Sequence, residues 1–200
     1  MRILLVSDSH GNNEALDELI AKWPNIDLYL HAGDSESHPR GIYPFRSVRG
    51  NCDYSFDMQE ELLIPTPFGN ILMRHKKEVS TKKLDDFAVK VFIYGHTHVP
   101  ECVKRKGVAF INPGSISYPR SEFGSTYMVL DLGKNVIDVK LYSLENDKIL
   151  KRYRVSLVEA QKEEQEKDQE IPPKDEVEEL ERQLAVIEQE LTEIRSKKKK

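Results

Sequence analysis

Hydrophobic and polar positions near the start of the chain follow a strand pattern, then a helix pattern, then a strand pattern again. Residues 2–7 ("RILLVS") and 26–34 ("IDLYLHAGD") are apolar runs rich in residues that favour strands. Between them, Leu16, Leu19 and Ile20 recur at helical spacing after an asparagine that can cap a helix. We therefore predict a β-α-β unit with two parallel strands.

The middle of the chain predicts further strands and one short helix. The segments "EELLIPT" and "NILMRH" flank the turn "PFG", and the run "VKVFIYG" is apolar enough for a buried strand. The segment "TKKLDDFAVK", which precedes that run, is a short helix candidate. Strands and helices thus continue to alternate in this part of the chain.

The part of the chain after residue 101 has the pattern of β-hairpins. "ECVKR" and "VAFIN" flank Lys106-Gly107, and "TYMVLDL" and "VIDVKLYSL" flank Gly133-Lys134-Asn135. We expect these hairpins to form a second, largely antiparallel sheet. The predicted fold class is α/β, with two packed mixed β-sheets flanked by helices in an α-β-β-α sandwich.

The last quarter of the chain is richer in charged residues and predicts a separate helical extension. We expect one domain over residues 1–155, a charged linker over 156–174, and an amphipathic helix over 175–200 with a basic tail. The helix has an apolar seam with coiled-coil spacing, formed by Val177, Leu180, Leu184, Ile187, Leu191 and Ile194. Because the seam spans fewer than three heptads, two interpretations stay open. The seam joins a homo-oligomer through residues 177–194, or it docks on the chain's own domain.

The charge balance argues against a nucleic-acid scaffold. The formal net charge is -4 and the isoelectric point is about 5.9, whereas proteins that wrap phosphate backbones carry clustered basic surface. The two cysteines, Cys52 and Cys102, are not spaced as a metal or redox motif, and the apolar start of the chain is too short for a signal peptide or a membrane span. We expect a cytoplasmic protein with free thiols and no membrane association.

Residues that can bind a metal ion follow several predicted strands at the points where the strands end. "YGHTH" places two histidines directly after one strand, and acidic, amide or imidazole side chains follow four other strands in the same way. Because α/β proteins place ligands at the carboxyl ends of strands, we expect these side chains to converge. The candidate donors are Asp8, His10, Asp34, Asn51, His75, His96 and His98.

The motifs around these donors resemble those of the calcineurin-like metallophosphoesterases. The phrases "SDSHGN", "HAGDSE", "VRGNCD", "IYGHTHVP" and "INPGSISYPR", in this order, are similar to the small YfcE-like phosphodiesterase branch of that superfamily. The resemblance covers roughly residues 1–145 and says nothing about the C-terminal part. It implies a metal-dependent hydrolase, most directly a phosphoric diester hydrolase, that acts on a small phosphoester substrate.

The resemblance also implies a site with two divalent metal ions. By this resemblance, one ion would be bound by Asp8, His10 and His98, and the other by Asn51, His75 and His96. Asp34 would bridge the two ions. A shared carboxylate offsets the repulsion of two neighbouring dications, and a water that bridges them loses a proton near neutral pH and attacks phosphorus. Donors of this kind suit zinc, iron, nickel or cobalt as well as manganese, and the resemblance favours manganese.

Two departures from the family pattern bear on catalysis. In many relatives a histidine after the motif asparagine protonates the leaving alkoxide, but here the residue is Cys52. Cys52 is a weak candidate general acid, since a thiol beside two cations tends to ionise, and activated aryl diesters should then be the better substrates. The family's "HGH" is "HKK" here, and we interpret Lys76 and Lys77 as surface residues rather than as substrate contacts.

Polar residues next to the candidate donors carry further expectations. His31, three residues before Asp34, is expected to hydrogen-bond a ligand carboxylate, and His38 is expected to be solvated. The segment "NPGS" at 112–115 is explained by a tight turn, although it also matches a family loop.

Two alternative functions stay in view. The first is a protein-interaction scaffold with weak or no activity on the same fold, as in the retromer subunit Vps29. The second is a nuclease, which the sequence disfavours because it has no long basic groove and no run of aromatic residues for base stacking.

Overall fold

The chain folds into two β-sheets with helices on their outer sides. The structure, a computed structural model, describes residues 1–54 and 57–157. In these ranges the strands are β1 (Arg2–Val6), β2 (Leu28–His31), β3 (Arg46–Ser47), β4 (Glu61–Ile64), β5 (Asn70–Arg74), β6 (Val89–Ile93), β7 (Glu101–Arg105), β8 (Val108–Asn112), β9 (Thr126–Leu132), β10 (Val136–Ser143) and β11 (Ile149–Ser156). The helices are α1 (Asn13–Lys22), a 3-10 helix (Pro39–Ile42) and α2 (Thr81–Asp86).

Both sheets are mixed, as predicted. The first has the strand order β11-β10-β9-β1-β2-β3, and the second has the order β4-β5-β6-β8-β7. Neighbours run parallel among β1, β2 and β3 and among β5, β6 and β8. The other neighbouring strands are antiparallel. The parallel strands form one side of the first sheet, which ends at β3, and the centre of the second sheet.

The two predicted hairpins form, but they do not build one sheet together. β7 and β8 pair across Lys106 and Gly107, whose φ angles of 48° and 78° fit the two-residue turn that favours positive φ at both positions. β9 pairs with β10 in the first sheet, and β8 pairs with β6 in the second. The expectation of a separate antiparallel sheet is therefore wrong. Each hairpin instead covers the open side of a parallel strand set, a long-range pairing that local pattern does not encode.

Three apolar layers hold the sandwich together. Alternate residues of β1 face opposite ways: Ile3 and Leu5 pack between the sheets with residues of β5, β6 and β8, and Leu4 and Val6 pack outwards towards α1. Outside the second sheet, Leu84 of α2 packs on residues of β5, β6 and β8. The arrangement is the predicted α-β-β-α sandwich.

The two helices begin as their sequences predict. The side chain of Asn12 accepts a hydrogen bond from the backbone N–H of Ala15, at 3.2 Å, and so caps α1. Ser80 caps α2 in the same way through the N–H of Lys83. α2 ends at Asp86, before the end of the predicted segment, because Ala88 adopts a left-handed conformation with φ of 46°.

The predicted extension at the C-terminus lies outside the described residues. This applies to the charged linker from residue 158 onwards and to the helix of residues 175–200 with its seam over 177–194. Among the residues that the structure describes, no helix is long and apolar enough to cross a bilayer.

Candidate metal centre

All seven predicted donors meet at the edge where the parallel strands end. They follow β1, β2, β3, β5 and β6, and they form two groups. Cluster A consists of Asp8, His10 and His98, and cluster B consists of Asp34, His75 and His96 with Asn51 beside them. In each cluster the three residues that combine carboxylate and imidazole groups have ligand atoms within 4.8 Å of one another.

Three loops at this edge share an unusual backbone conformation. In each, two residues that are separated by one position have positive φ: Asp8 (52°) and His10 (45°), Asp34 (54°) and Glu36 (52°), and His96 (64°) and His98 (59°). Left-handed backbone is uncommon for residues other than glycine, and it concentrates at functional sites where the surrounding structure enforces it. The repeated pattern indicates that the three loops belong to one functional site.

Two glycines let these loops approach one another. A Cβ atom on Gly95 would lie 2.0 Å from Oγ of Ser7 and 2.8 Å from Oδ2 of Asp8. A Cβ atom on Gly50 would lie 2.0 Å from Oδ1 of Asp34. Any side chain at either position would therefore displace an aspartate of the site.

Cluster A has a carboxylate oxygen that is buried without a hydrogen bond. Asp8 is fully buried, and its Oδ2 accepts hydrogen bonds from Oγ of Ser7 at 2.6 Å and from the N–H of His96 at 3.1 Å. Its Oδ1 lies 3.1 Å from Nε2 of His98 but makes no hydrogen bond within the described residues. An unpaired buried carboxylate oxygen is costly, so this atom calls for a positive partner.

The outer contacts of the histidines in cluster A determine which ring nitrogen faces that gap. Nδ1 of His10 lies 2.6 Å from a carboxylate oxygen of Glu36, and Nδ1 of His98 lies 2.6 Å from the carbonyl oxygen of Tyr118. Both partners are acceptors, so both Nδ1 atoms donate, and a neutral imidazole then presents a bare lone pair at Nε2. Nε2 of His10 is also buried without a hydrogen-bond partner among the described residues. Cluster A thus directs only lone pairs inwards.

Cluster B repeats this arrangement with a different outcome. Nδ1 of His75 donates to the carbonyl oxygen of Ala32 at 2.8 Å, and its Nε2 lies 3.1 Å from Oδ1 of Asn51 and 3.2 Å from Oδ2 of Asp34. When Nε2 of His75 carries no proton, three acceptor atoms face one another, and a cation or a proton between them offsets their repulsion. The other oxygen of Asp34 accepts the N–H of Cys52 at 2.7 Å, so this carboxylate is better satisfied than that of Asp8.

The pKa values of the two aspartates shift in opposite directions. Burial raises the pKa of Asp8, and the hydrogen bond from Ser7 only partly offsets this effect. Burial also acts to raise the pKa of Asp34, but hydrogen bonds from His75 and Cys52 outweigh it and lower the pKa to about 2. Burial acts to lower the pKa of His75, but its bond to Asp34 prevails and raises it. The two clusters therefore differ in how they compensate charge.

His96 completes cluster B from its exposed side. Its ring packs edge to face on that of His75, with 5.1 Å between the centroids. Burial, followed by the positive charges of His75 and Lys76, lowers the pKa of His96. The imidazole is thereby kept neutral, which is the form that ligates a metal ion.

The donor set of both clusters fits a divalent metal ion. Carboxylate oxygens, imidazole nitrogens and one amide oxygen face inwards, and within the described ranges Oδ1 of Asp8 and Nε2 of His10 in cluster A have no hydrogen-bond partner. Neither cluster contains a thiolate, so the donors suit manganese, iron, cobalt, nickel or zinc and do not by themselves choose among these metals. A third grouping, of His10, Glu36 and Cys52, overlaps cluster A on the outer side of His10.

Sequence reasoning missed two acidic residues that position the site. Glu36 holds the outer nitrogen of His10, and the pattern that could have revealed it is the repeat of Asp-x-His, Asp-x-Glu and His-x-His. The carboxylate of Asp53 accepts four hydrogen bonds: from the N–H groups of Asp34, Glu36 and Gly50 and from Oγ of Ser35, at 2.7 to 3.0 Å. Asp53 thus ties the loop after β2 to the loop after β3.

The segment 112–115 supports the donors from behind. Asn112 is fully buried, and its side-chain amide donates to the carbonyl oxygen of Gly95 at 2.7 Å and to Oγ1 of Thr97 at 3.1 Å. Oγ of Ser115 donates to the carbonyl oxygen of Asp8 at 2.9 Å. A tight turn is therefore only part of the explanation for this segment, because its side chains also hold the donor loops after β1 and β6.

The remaining histidines differ in how well they match expectation. His31 does not bond a ligand carboxylate: its Nε2 pairs with Oγ of Ser9 at 2.9 Å, and its Nδ1 accepts the N–H of Gly33 at 3.2 Å. Burial lowers the pKa of His31 to about 4, so it is neutral at physiological pH. His38 is largely exposed, as predicted, and caps the 3-10 helix through the N–H of Arg40.

Cys52 and the two lysines after His75 also take defined places. Cys52 is partly exposed rather than buried, and its Sγ accepts a hydrogen bond from the amide of Asn51 at 3.2 Å. Lys77 is bound to Glu101 at 2.5 Å and lies over the ring of Tyr94, so it is structural. Lys76 is exposed and makes no ion pair within the residues that the structure describes. The two neighbouring lysines therefore differ in role.

Comparison with known sequences assigns the chain to a family. Residues 1–135 match the profile of the calcineurin-like phosphoesterase superfamily domain. The chain is 31% identical over 160 residues to a probable metallophosphoesterase, YsnB, of Bacillus subtilis, an alignment that covers 74% of this chain and 95% of the relative. It is 28% identical over 162 residues to the phosphodiesterase YfcE of Escherichia coli, with 66% and 88% covered.

Solved structures agree with this assignment. A crystal structure from Streptococcus pneumoniae, of a conserved protein described as a predicted phosphoesterase, superposes with a TM-score of 0.69 at 27% identity and covers 78% of this chain and 97% of its own. Vps29 of Entamoeba histolytica, in a structure complexed with zinc, superposes with a TM-score of 0.60 at 22% identity, with 79% and 100% covered, and shares the fold. The resemblance read from the five motifs is confirmed, and the chain belongs to the calcineurin-like phosphoesterase superfamily.

Proposed function

We propose that the protein is a metal-dependent phosphodiesterase that uses two divalent ions, manganese in the first place. The observation that carries this proposal is the orientation of the inner imidazole nitrogens. Outward Nδ1 contacts of His10 and His98 turn the Nε2 atoms of both rings towards Asp8, and within the described residues neither Oδ1 of Asp8 nor Nε2 of His10 has a hydrogen-bond partner. Such an arrangement is stable when cations occupy the space between the acceptors.

The two clusters divide the ligands between the ions. Cluster A, with Asp8, His10 and His98, would hold one ion, and His75, His96 and Asn51 would hold the other, with Asp34 available to both. The chemistry that such a pair supplies is a water of lowered pKa together with charge compensation for the phosphate oxygens. The protein's own residues fix the ligands: Glu36 and the Tyr118 carbonyl orient the imidazoles of cluster A, and Asp53 fixes the loop of Asp34.

The environment of Cys52 favours substrates with good leaving groups. In the metal-free site, burial and the negative charge of Asp34 raise the pKa of its thiol, whereas two neighbouring cations favour the thiolate, which has no proton to donate; the side chain lies beside Asn51. A thiol is an inefficient proton donor to an alkoxide compared with an imidazolium tuned near neutral pH. Activated aryl diesters therefore fit this site better than alkyl esters.

A metal titration with an activity assay tests the proposed function. Purified full-length protein should take up about two manganese ions per chain in isothermal titration calorimetry and hydrolyse bis-p-nitrophenyl phosphate. Asp34→Asn and His98→Ala should lose more than about 100-fold in rate, since removal of an outer partner alone already costs 10- to 100-fold. Glu122→Gln, at an exposed position that belongs to neither cluster, is the matched control. No divalent uptake, or hydrolysis that survives Asp34→Asn, would refute the proposal.

The scaffold function remains the second candidate because the fold is shared with Vps29. The intact donor set favours the enzyme, since a pure interaction platform has no need of inward lone pairs held by outer hydrogen bonds. The same titration separates the two candidates. Tight partner binding through residues 175–196, without hydrolysis in any divalent metal, would support the scaffold.

A further inference from the structure

A cationic cavity opens beside cluster B. Its volume is about 250 Å3, below the roughly 300–1,000 Å3 of sites that enclose a whole small ligand. The cavity is lined by Arg49, Gly50, Asn51, Glu60, Arg74, His75 and Lys76. Two of these residues, Asn51 and His75, belong to cluster B. The cavity therefore has room for one substituent of a molecule whose reacting group lies at the candidate metal centre.

The charges of the cavity wall are unbalanced. Three cationic side chains, Arg49, Arg74 and Lys76, face one carboxylate, that of Glu60. The ammonium group of Lys76 makes no ion pair with any residue in the ranges 1–54 and 57–157, unlike its neighbour Lys77, which is bound to Glu101. The wall of the cavity therefore carries more positive than negative charge, and one of its cations, Lys76, has no carboxylate partner within the described ranges; such a wall attracts an anion.

The guanidinium of Arg49 is already placed to bind an oxyanion. Its Nη2 lies 2.5 Å from a carboxylate oxygen of Glu60, whose side chain is 72% exposed. Exposed ion pairs contribute little, typically about 0–1 kcal/mol. A phosphate, which has more charge and more acceptor oxygens than a carboxylate, can therefore displace Glu60 from Arg49.

Arg74 is held in a fixed position at the same wall. Its Nη1 donates to the carbonyl oxygen of Glu78 at 2.7 Å, and its Nε lies 3.6 Å from the carboxylate of Glu61. Glu61 is at the same time bound by Lys83 at 2.6 Å, so its charge is shared. Arg74 thus adds positive potential to the cavity without having to be reordered when an anion binds.

We propose that this cavity binds a second phosphate group on the organic part of the substrate, next to the phosphoester that is hydrolysed. The inference rests on the proposed function and deepens it: the substrate class is a phosphodiester that carries a further phosphate. It applies to residues outside the two clusters, and it gives Lys76 a role that its sequence context does not reveal.

A matched pair of substrates tests the inference in the full-length protein with manganese. Both are p-nitrophenyl esters of thymidine 5′-phosphate, and one carries an additional 3′-phosphate. The wild type should prefer the phosphorylated ester by about tenfold or more in kcat/KM, the size expected for charge-assisted hydrogen bonds. Lys76→Gln and Arg49→Gln should each reduce this ratio severalfold, and Glu60→Gln should increase it. Lys134→Gln, which removes the same charge at the β9–β10 turn, should leave the ratio unchanged.

A binding measurement separates failure of the inference from failure of the proposed function. Calorimetry compares thymidine 3′,5′-bisphosphate with thymidine 5′-phosphate on the manganese-loaded protein. One outcome is that the bisphosphate binds about tenfold more tightly than the monophosphate, that this difference depends on Lys76 and Arg49, and that neither ester is hydrolysed. This outcome would refute the proposed function and support the anion site. Hydrolysis of both esters at a ratio near one, or a ratio that Lys76→Gln and Arg49→Gln leave unchanged, would overturn the inference and retain the phosphodiesterase.

Discussion

Clusters A and B use the same kinds of side chain but compensate their charges differently. In cluster A, a fully buried aspartate has one oxygen without a hydrogen bond, and both imidazoles direct lone pairs at the same space. In cluster B, Asp34 is bonded by a backbone N–H and lies beside an imidazole whose pKa is raised, so a proton can neutralise the group. Cluster A depends on an external cation, whereas cluster B partly satisfies itself.

The difference predicts an order of metal affinity. Cluster A gains the most from a cation because Oδ1 of Asp8 has no hydrogen-bond partner within the described residues. Cluster B must first release the proton of His75. Metal uptake at cluster B should therefore weaken as the pH falls below the raised pKa of His75, because the imidazolium form then competes with the metal ion. The four predictions below test this contrast, from the largest expected effect to the smallest.

Substitution of the two aspartates should have opposite effects on the metal-free protein. The pKa of Asp34 is lowered from 3.8 to about 2, so its carboxylate stabilises the fold by about 2 kcal/mol above pH 4, and this contribution is lost as the pH falls towards 2. Asp34→Asn should remove up to that amount at pH 7. The raised pKa of Asp8 has the reverse sign, so Asp8→Asn should leave the free energy of unfolding unchanged or raise it.

Urea denaturation with a chelator present measures both effects. In the Asp8→Asn variant the new amide can donate to the bare Nε2 of His98, which lies 3.1 Å from the atom replaced. Equal losses of stability in the two variants would show that the clusters do not differ as described. With manganese present, both variants should lose the stabilisation that the metal gives to the wild type.

Loss of the outer partner of His10 should weaken metal binding in cluster A. Glu36→Ala removes the carboxylate on Nδ1 of His10, and the apparent dissociation constant for manganese should rise by about 10- to 100-fold. Glu36→Gln keeps an acceptor oxygen and should have a smaller effect. Calorimetric titration measures the change, and Glu122→Gln is the control. An affinity that stays the same in Glu36→Ala would remove Glu36 from the site.

A histidine in place of Cys52 should widen the substrate range. Cys52→His adds an imidazole beside cluster B, and hydrolysis of an alkyl diester relative to bis-p-nitrophenyl phosphate should improve by about tenfold, less than the 10²–10⁴ of an optimised general acid. The ratio of the two kcat/KM values is the readout. Cys52→Ser is the control, because it keeps the size but adds no imidazole. An unchanged ratio in Cys52→His would contradict the assignment of Cys52 as an inefficient acid.

Substitution of His31, which links the loops after β1 and β2, should have the smallest effect. His31 bonds Ser9 after β1 and Gly33 after β2, and burial lowers its pKa to about 4. The unfolded state therefore binds more protons between pH 4 and 6.5, so stability is complete above 6.5 and declines as the pH falls through this window. From pH 7.5 to pH 6, His31 should contribute a loss of about 1 kcal/mol to the stability of the metal-free protein. His31→Gln should flatten this part of the urea-denaturation profile, and an unchanged slope would exclude His31 as its source.

The strands and the hairpin turns could be predicted from the sequence, but the membership of the sheets could not. The turn at Lys106-Gly107 follows from local residue preferences, and the structure contains it. The pairing of β1 with β9 joins Arg2 to Asp131, and no local pattern carries information over that separation. Which sheet each hairpin joins depends on which parallel strand still has an unpaired edge. That edge is known only from the folded structure.

The seven donors could be predicted because strand ends and motifs mark them, whereas their supports could not. The Asp-x-Glu repeat singles out Glu36 but not its contact, Asp53 has no such mark, and the folded loops are needed to show that the two residues hold His10 and Asp34. The contrast between Lys76 and Lys77 depends on the position of Glu101 on β7. The motifs in the sequence identify the seven candidate donors. The residues that orient these donors are defined by contacts between loops that are distant along the chain.

The register of β1 against β9 also has a consequence for synthesis on the ribosome. β1 emerges first, but the strand that covers its second edge ends at Leu132. At roughly 5–20 residues per second, that edge waits on the order of ten seconds for its partner. The donor loops lie between residues 8 and 98 and are clamped by segment 112–115, so a nascent chain has the complete candidate ligand set once somewhat more than half of its 200 residues are made. The candidate metal centre is thus synthesised in full before β9, the strand that closes the second edge of β1.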